Sequence, residues 1–395
     1  MISIEAARRL VTEGLSPLSG EDVPLLDALG RICAINIMAS RSLPGFDNSA
    51  MDGYAVRAAD LQSERSLRVV AQIPAGVVSD RVIGPGEAAR IFTGAPMPGG
   101  ADSVVIQEDV RVEGDQIWIT DVPAAGRHIR RRGGDILDDE ILIEAGWRLT
   151  AGRLAVLASQ GHRTVAVVRR PRVAILPNGD ELVPIDAAVG PGQVPNTNAH
   201  MLSAQVLQAG GEPWAFDPIA DDPDVLTQAL NAATAGADLV LTTGGMSVGD
   251  FDYARDALRA EGQLAFYKVR MKPGKPLGRG LINGVPVLGL PGNPVSTFVG
   301  FALFGRPMLR TLAGYPDVDH PVRSLPLGRA VKQNRTRPEF QRCALSEGRL
   351  IPWPKQGSSM ISSLIRADLL ARIPQGDGVL AEGTVVEAID LRVIE

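Results

Sequence analysis

Three segments of the chain place glycines beside acids or lysines, a combination suited to a phosphorylated ligand. They are residues 44–54, residues 242–253, and residues 272–276 running on to 290–296. Glycine lets backbone N–H groups approach a ligand closely, and a neighbouring carboxylate can hold a hard cation that bridges phosphate oxygens. Three such segments in one chain indicate an enzyme that acts on a phosphorylated or nucleotide-linked substrate.

The second segment contains a Gly-Gly pair followed by two acids. Gly244 and Gly245 lead from a predicted strand into a predicted helix, and Asp250 and Asp252 follow at once. Backbone donors there, and at the start of the predicted helix that begins at Pro294, could bind phosphate because helix N-termini carry unpaired N–H groups. For the Gly-Gly pair alone, a tight turn without a ligand is the alternative. A helix cap needs only one acid, so the second favours a Mg²⁺ site completed by substrate phosphate.

The third segment is rich in lysine. Lys268 and Lys272 stand four residues apart on a strand-like stretch, where even spacing predicts that both lie on one face. Lys275 follows within a Pro-Gly turn, and prolines after Lys272 and Lys275 restrict the loop. Lysine is a mobile point charge for phosphate or another oxyanion. Solvated surface lysines are the alternative, and the restricted loop favours ligand binding.

The first segment is a turn crowded with polar side chains. Asp47, Asn48, Ser49 and Asp52 precede Gly53. Asx turns account for such density, whereas a turn does not need both acids. On the residues alone, a structural turn and a functional site stay equal alternatives.

Composition excludes several classes of function. A length of 395 residues predicts two to four domains, and a net charge of -5 argues against a nucleic-acid partner. Cys33 and Cys343 are the only cysteines, and the four histidines are scattered, so no zinc site or disulfide framework is predicted. No P-loop or dinucleotide fingerprint occurs. Without a signal peptide or an apolar run of about 18 residues, we expect no membrane partner and a cytoplasmic protein.

The pattern of predicted elements changes twice along the chain. Short β-type runs between turns fill residues 68–142, and strands alternate with helices from residue 171 to about 316. The alternation predicts a parallel, doubly wound sheet, in which ligands bind beyond the carboxyl ends of the strands. The loops after residues 176, 243 and 290 fall on that edge. Short β-type runs after residue 316 predict a small terminal β-domain.

These motifs together resemble the molybdopterin molybdenumtransferase family, which includes the bacterial MoeA proteins and the E domain of gephyrin. The matching blocks run in family order across nearly the whole length. They are residues 44–56, 90–96, 129–136, 179–182, 221–223, 243–253, 268–276, 290–296 and 356–360.

The resemblance implies a multidomain α/β protein. A linking α/β segment would comprise residues 1–38 and 139–170, and its N-terminal helix could pack on the α/β domain. An inserted β-rich domain would span residues 39–138, a molybdopterin-binding α/β domain 171–316, and a C-terminal β-barrel 317–395. It also implies a homodimer with a cleft between the α/β domain and partner-subunit elements. Transient contacts with other molybdenum-cofactor biosynthesis proteins are expected.

The implied reaction converts adenylylated molybdopterin and molybdate into molybdenum cofactor and AMP, with Mg²⁺. The implied catalytic residues are Asp52, Asp135, Glu181, Lys268 and Lys272. The resemblance implies Thr93 and Ser358 as substrate-binding residues. The loops described above add the following residues to that expectation: Gly244, Gly245, Ser247, Lys275, Pro291, Gly292, Asn293 and Ser296. The implied metal ligands are Asp252 with a neighbouring acid, Asp221 or Asp250.

The chain departs from the usual family pattern at a few positions. Pro177 and Asn178 stand where a Ser-Thr pair is common, Asp368 replaces a common asparagine, and Ala220 a frequent polar residue. Two other functions stay open: adenylylation of molybdopterin, and a scaffold that keeps the fold without turnover. Whether molybdenum or tungsten is inserted also stays open.

Overall fold

The computed structural model describes residues 1–63, 65–245 and 264–392. Ser247, Asp250 and Asp252 lie outside the described residues. The α-helices are α1 (Ile4–Thr12), α2 (Ala151–Ser159), α3 (Thr197–Gln208), α4 (Pro223–Thr234), α5 (Pro294–Gly300) and α6 (Arg306–Leu312). A π-helical segment, Phe301–Gly305, joins α5 to α6, so the helix predicted from Pro294 to Leu312 is confirmed.

The strands of the first half of the chain are β1 (Gly20–Pro24), β2 (Ile37–Met38), β3 (Asn48–Ser49), β4 (Gly53–Val56), β5 (Ser66–Ile73), β6 (Glu87–Ile91), β7 (Ser103–Ile106), β8 (Val110–Glu113), β9 (Gln116–Ile119), β10 (Ile129–Arg130), β11 (Ile141–Ile143), β12 (Thr164–Val168), β13 (Arg172–Pro177), β14 (Leu182–Val183) and β15 (Val194–Pro195). Those of the second half are β16 (Glu212–Ala215), β17 (Leu239–Thr243), β18 (Phe266–Tyr267), β19 (Gly278–Ile282), β20 (Val285–Leu290), β21 (Val322–Pro326), β22 (Val331–Lys332), β23 (Glu339–Ser346), β24 (Arg349–Pro352), β25 (Leu369–Ile373), β26 (Val379–Leu380) and β27 (Val385–Asp390).

The chain divides into two compact units. The first unit contains Met1–Ile35, Ala145–Leu154 and Arg163–Glu395, and the second contains Asn36–Glu144 and Ala155–His162. The second unit is built on a six-stranded sheet of order β7-β4-β6-β5-β9-β8. Tyr54 and Val56 of β4 pack into one apolar cluster and Ala55 into another, because successive side chains of a strand point to opposite faces. The predicted β-rich character of this part of the chain is confirmed.

The first unit contains the α/β sheet, of order β16-β13-β17-β20-β19-β18. Strands β16, β13, β17 and β20 are parallel neighbours. Val173 and Ile175 of β13 face a cluster shared with α1, α3, α5 and α6, whereas Ala174 and Leu176 face α4 on the other side. Helices therefore cover both faces of the sheet, as the alternation of strands and helices predicted.

The last two strands on one side of this sheet, β19 and β18, are not parallel to their neighbours, whereas a parallel sheet had been expected. Strands β19 and β20 pair antiparallel, and β18 pairs antiparallel with β19. Asn283 and Gly284, which join β19 to β20, have φ values of 51° and 78°. An Asn-Gly pair with positive φ at both residues forms the tight hairpin turn that suits the twist of two paired strands.

The C-terminal part of the first unit is all β. Five antiparallel strands follow the order β21-β27-β25-β23-β24, and β22 pairs with β26. A bridge between Leu327 and Leu350 joins the end of β21 to β24, with Gly328 N donating to Leu350 O at 2.7 Å. This bridge brings the two edge strands together, so the sheet curls into the predicted barrel.

Among the described residues, no helix has the length and apolar character that crossing a bilayer requires. The four-domain boundaries read from the sequence stay a prediction.

Candidate active site

A cavity opens at the carboxyl ends of the parallel strands in the first unit. Its volume is about 610 Å³, within the range of roughly 300–1,000 Å³ that is usual for small-molecule sites. The lining comes from loops that follow the strands and from the starts of α3 and α5, and it includes Glu181, Asn196, Asn198, Gly244, Gly245, Pro291, Gly292, Asn293 and Ser359. The predicted edge of the sheet therefore does carry a ligand-sized cavity.

Two of the loops on this edge touch through their backbones. A Cβ on Gly244 would lie 2.3 Å from Asn178 O, and Gly244 has a φ of 92°. Both facts exclude a side chain at position 244, because backbone atoms cannot yield and the conformation is one that L residues rarely adopt. Gly244 is therefore required for the close packing of these strand ends, whether or not a ligand is bound.

Asn178 also orients Asp221, the acid in the loop that follows β16. Its side chain is 5% exposed, and Nδ2 donates to Asp221 Oδ1 at 2.5 Å. Asp221 N in turn donates to Asp180 Oδ1 at 3.0 Å. In the sequence, Asn178 stands out only as a departure from the family pattern. The structure gives it a definite role, which is to orient the Asp221 carboxylate.

Negative charge accumulates around Asp221. Burial raises the pKa of this carboxyl group above its usual range, and the charges of Asp180 and Glu181 raise it further. A bound cation would reverse this effect, so these residues fit a partial Mg²⁺ site. In the part of the chain that the structure describes, no three metal-ligating side chains cluster tightly enough to hold an ion by themselves. A cation here would need ligands from substrate or from Asp250 and Asp252, which lie outside that part.

The N-terminus of α5 is held by its surroundings. Asn198 Nδ2 donates to Gly292 O at 2.7 Å, and Asn293 Nδ2 donates to Ser358 Oγ at 3.2 Å. Val295 N donates to Ser358 O at 3.2 Å, so one N–H of the predicted phosphate cradle is engaged within the protein. Ser358 therefore contacts α5, while its neighbour Ser359 lines the cavity.

The lysines are arranged differently from the prediction. Strand β18 ends at Tyr267, and Lys268 has a φ of 66°, so Lys268 and Lys272 do not share a strand face. The chain folds back instead, with Val269 N donating to Lys275 O at 3.1 Å. Lys268 Nζ lies 5.0 Å from the centre of the Tyr267 ring, and Lys275 is exposed.

A carboxylate from the C-terminal barrel holds Lys272. Its Nζ lies 3.1 Å from Glu339 Oε1, and the Glu339 side chain is only 6% exposed. Backbone hydrogen bonds secure the same join, from Lys272 N to Pro338 O at 3.0 Å and from Phe340 N to Lys272 O at 2.7 Å. No sequence motif marks Glu339, so its pairing with Lys272 was not predicted.

The fully buried Arg342 fixes the barrel loop beside the cavity. Its Nε donates to Ser363 Oγ at 3.0 Å and its Nη2 to Gly357 O at 3.2 Å. Burial lowers its pKa to about 10, so it stays charged at neutral pH. Gln356 completes the arrangement by exchanging two hydrogen bonds with the Arg342 backbone.

The second unit places Asp52 and Thr93 together. Asp52 Oδ1 accepts hydrogen bonds from Thr93 N and Thr93 Oγ1, both at 2.8 Å. These bonds lower the pKa of Asp52, so it is a carboxylate at neutral pH. Asp47 of the same turn bonds Arg131 Nη1 at 2.6 Å and Arg132 N at 2.8 Å. Asp47 therefore stabilises the turn through these bonds, whereas Asp52 is exposed to solvent.

Asp135 lines another cavity of the second unit. This cavity has a volume of about 620 Å³ and is also lined by Leu43, Pro44, Arg130 and Arg131. Ser296, by contrast, is 3% exposed and does not line the 610 Å³ cavity of the first unit. Its predicted ligand contact therefore lacks support in the described geometry.

Comparison with known proteins identifies the family. The MoeA N-terminal region (domain I and II) matches residues 2–161, a probable molybdopterin binding domain matches 174–311, and the MoeA C-terminal region (domain IV) matches 324–391. Molybdopterin molybdenumtransferase 2 of Mycobacterium tuberculosis is 35% identical over 99% of this chain and 100% of its own length. The chain belongs to the molybdopterin molybdenumtransferase family.

Other relatives agree with this membership. Molybdopterin molybdenumtransferase of Haemophilus influenzae is 34% identical over 98% of each chain. A crystal structure of a molybdopterin biosynthesis MoeA protein from Pyrococcus horikoshii superposes with a TM-score of 0.88 at 32% identity, covering 99% of both chains. A second one gives 0.82 at 29% identity, covering 98% of this chain and 99% of that one. The multidomain fold is thus that of the family.

The contact between Glu339 and Lys272 should be measurable as stability. We expect Glu339→Gln to lower the free energy of unfolding by about 1–2 kcal/mol, because a hydrogen bond to a charged group is lost at a buried carboxylate. Urea denaturation measures this change. The exposed pair Arg349 and Glu382, 3.6 Å apart, provides the control, and Glu382→Gln should cost less than about 0.5 kcal/mol. Equal effects of the two substitutions would contradict the assigned role, as would additive effects of Glu339→Gln and Lys272→Met.

Proposed function

We propose that this chain inserts molybdate into adenylylated molybdopterin, releasing AMP and giving molybdenum cofactor. The observation that carries the proposal is the match to curated molybdopterin molybdenumtransferases over essentially the whole chain, through all three family regions. The cavity at the carboxyl edge of the sheet agrees with it, since ligands of doubly wound folds bind there.

The residues of the cavity suit a phosphorylated pterin. Gly244, Gly245, Gly292, Asn196 and Asn198 all line the cavity, where they would contact the pterin and its phosphate. The lysine ammonium groups at 268 and 272 would stabilise the negative charge that develops on the departing AMP. Glu339 holds one of these charges in place, so little reorganisation is needed when the substrate arrives.

Carboxylates supply the remaining chemistry. Asp52, Asp135 and Glu181 would orient molybdate, directly or through water. Asp252, with Asp221 or Asp250, would hold Mg²⁺ against the pyrophosphate. When bound, Mg²⁺ neutralises charge on the phosphate oxygens.

The assay that tests the function combines purified protein, adenylylated molybdopterin, Mg²⁺ and either molybdate or tungstate, with AMP release as the readout. We expect Asp52→Ala to slow release by roughly 10²–10⁴-fold, the range for a positioned acid–base group. The matched control is Asp47→Ala, because Asp47 lies in the same turn but is bonded to Arg131 and Arg132. Near-normal turnover of Asp52→Ala would remove Asp52 from the mechanism.

The same assay separates the alternative functions. An adenylyltransferase would instead consume ATP and molybdopterin with release of pyrophosphate, and a scaffold would bind the adenylylated pterin without any turnover. The acids and lysines named above argue for turnover. Comparison of the molybdate and tungstate arms decides which metal is inserted.

The proposed metal can be tested through Asp221. We expect Asp221→Asn to weaken binding of the adenylylated pterin in the presence of Mg²⁺ and to have a smaller effect in its absence. Isothermal titration with and without Mg²⁺ measures both. Asp222→Asn is the matched control: Asp222 is the adjacent acid, it caps α4 through Asp224 N and Val225 N, and asparagine caps helices equally well. Binding that is indifferent to Mg²⁺ in the wild-type protein would exclude the metal.

We also propose that the chain works as a homodimer, as the family resemblance implies. Sedimentation velocity at micromolar concentration should give twice the chain mass of 41.8 kDa. A monomer with full AMP-releasing activity would refute the dimer.

A further inference from the structure

A small arginine-lined pocket lies on the opposite edge of the α/β sheet from the proposed active site. Its volume is about 140 Å³, and its lining includes Arg31, Arg148, Arg170, Arg310 and Tyr315. Among the residues that the structure describes, no carboxylate lines it. Four guanidinium groups around one opening create a concentrated positive field that favours an anion.

The topology separates this pocket from the 610 Å³ cavity of the candidate active site. Arg170 stands two residues before β13, and the pocket residue Gly210 stands two residues before β16. The pocket is therefore at the amino ends of the parallel strands. Gly244 and Pro291, which line that cavity, follow β17 and β20 at the carboxyl ends of the strands. The two sites are on opposite edges of one sheet.

Two of the arginines are held firmly. Arg31 is 8% exposed and Arg310 is 3% exposed. Arg31 Nη2 donates to Val168 O at 2.9 Å and to Glu21 Oε1 at 2.5 Å, so one acid outside the lining balances part of the charge. Arg310 Nε donates to Asp317 O at 2.7 Å. Guanidinium groups fixed in this way are preorganised for a ligand, because binding orders little that was mobile.

Tyr315 and the backbone complete the wall. The Arg310 guanidinium lies 3.8 Å from the centre of the Tyr315 ring, and Tyr315 Oη donates to Gly30 O at 3.0 Å. A bridge between Ile32 and Arg148 and a hydrogen bond from Leu149 N to Arg31 O at 2.8 Å bring the Arg31 and Arg148 segments side by side. The pocket is thus assembled from five separate stretches of the chain.

We propose that this pocket binds a tetrahedral oxyanion of the class formed by sulfate, phosphate and molybdate. Guanidinium groups present N–H donors in a planar fork that matches the oxygens of such an ion, although Arg31 and Arg310 use some of their donors within the protein. The size agrees, since 140 Å³ is below the roughly 300 Å³ at which drug-sized ligands begin. A nucleotide or pterin is too large for it.

Isothermal titration of the full chain with sodium sulfate, phosphate and molybdate, at low ionic strength because salt screens exposed charges, tests the proposal. Chloride at matched ionic strength is the blank. We expect one oxyanion to bind per chain, and Arg148→Gln and Arg170→Gln each to weaken binding by roughly tenfold or more, as for a charge-assisted hydrogen bond. Arg170 is exposed, so its substitution should leave folding intact.

The control is Arg163→Gln, because Arg163 is an exposed arginine of the same unit that does not line the pocket. Lys272→Met removes a candidate catalytic lysine of the proposed active site and should leave binding to the pocket unchanged, which separates the two sites. Tighter binding of molybdate than of sulfate and phosphate would support a site tuned to the substrate anion, and equal binding would support a general oxyanion site. Absence of binding by all three ions, or equal losses in Arg163→Gln and Arg170→Gln, would overturn the proposal. This test does not measure AMP release, so its outcome for the pocket is independent of the proposed enzymatic function.

Discussion

The ion pair between Glu339 and Lys272 is the contact on which the arrangement of the candidate active site depends. It joins the first strand residue of the barrel's β23 to the lysine loop of the α/β sheet, across 3.1 Å and with the carboxylate almost completely buried. A buried carboxylate is unfavourable unless a cation and hydrogen bonds compensate it. Lys272 supplies that charge at close range, and the guanidinium of Arg342 lies near enough to add to it. The same contact that stabilises the join between barrel and sheet therefore also fixes one catalytic candidate.

The barrel contributes more than this one residue. Ser358 meets α5 through both its hydroxyl and its carbonyl group, and the buried Arg342 holds the loop that carries it. The cavity at the strand ends is consequently shaped from two sides. On one side, the loops after the sheet strands line it, where Gly244 packs closely against Asn178. On the other side, the barrel loop lines it through Ser359. Changes in the barrel core should therefore reach the cavity through backbone contacts that have little freedom to yield.

The sequence predicted the parallel strands, the helices on both faces and the ligand edge, because strand–helix alternation and glycine-rich loops are local signals. It predicted the antiparallel edge poorly, although Asn283-Gly284 is a strong hairpin signal that could have revealed β19. The prediction that Lys268 and Lys272 share a strand face was wrong, because Lys268 adopts a positive φ that the residue types do not predict. Glu339, Asn178 and Arg342 act through contacts distant in sequence, so no local pattern could assign their partners. Of the implied site residues, Asp52 bonds Thr93 and Glu181 lines the same cavity as the glycine loops, and their roles stay predictions.

Acids gather at the carboxyl ends of the parallel strands, and arginines gather at the amino ends. At the carboxyl edge the loops turn back sharply, and Asp180, Glu181 and Asp221 crowd together so closely that their mutual repulsion, added to burial, raises the pKa of Asp221. Such crowding is unfavourable in the free protein and is relieved by a cation. At the amino ends the connecting segments carry Arg31, Arg148 and Arg170 to Arg310 from α6, and the proposed anion would offset their positive charge. Glu21 already pairs with Arg31, so an anion would add to that pair and not replace it. Like charges gathered at each end of the strands favour a ligand of the opposite sign.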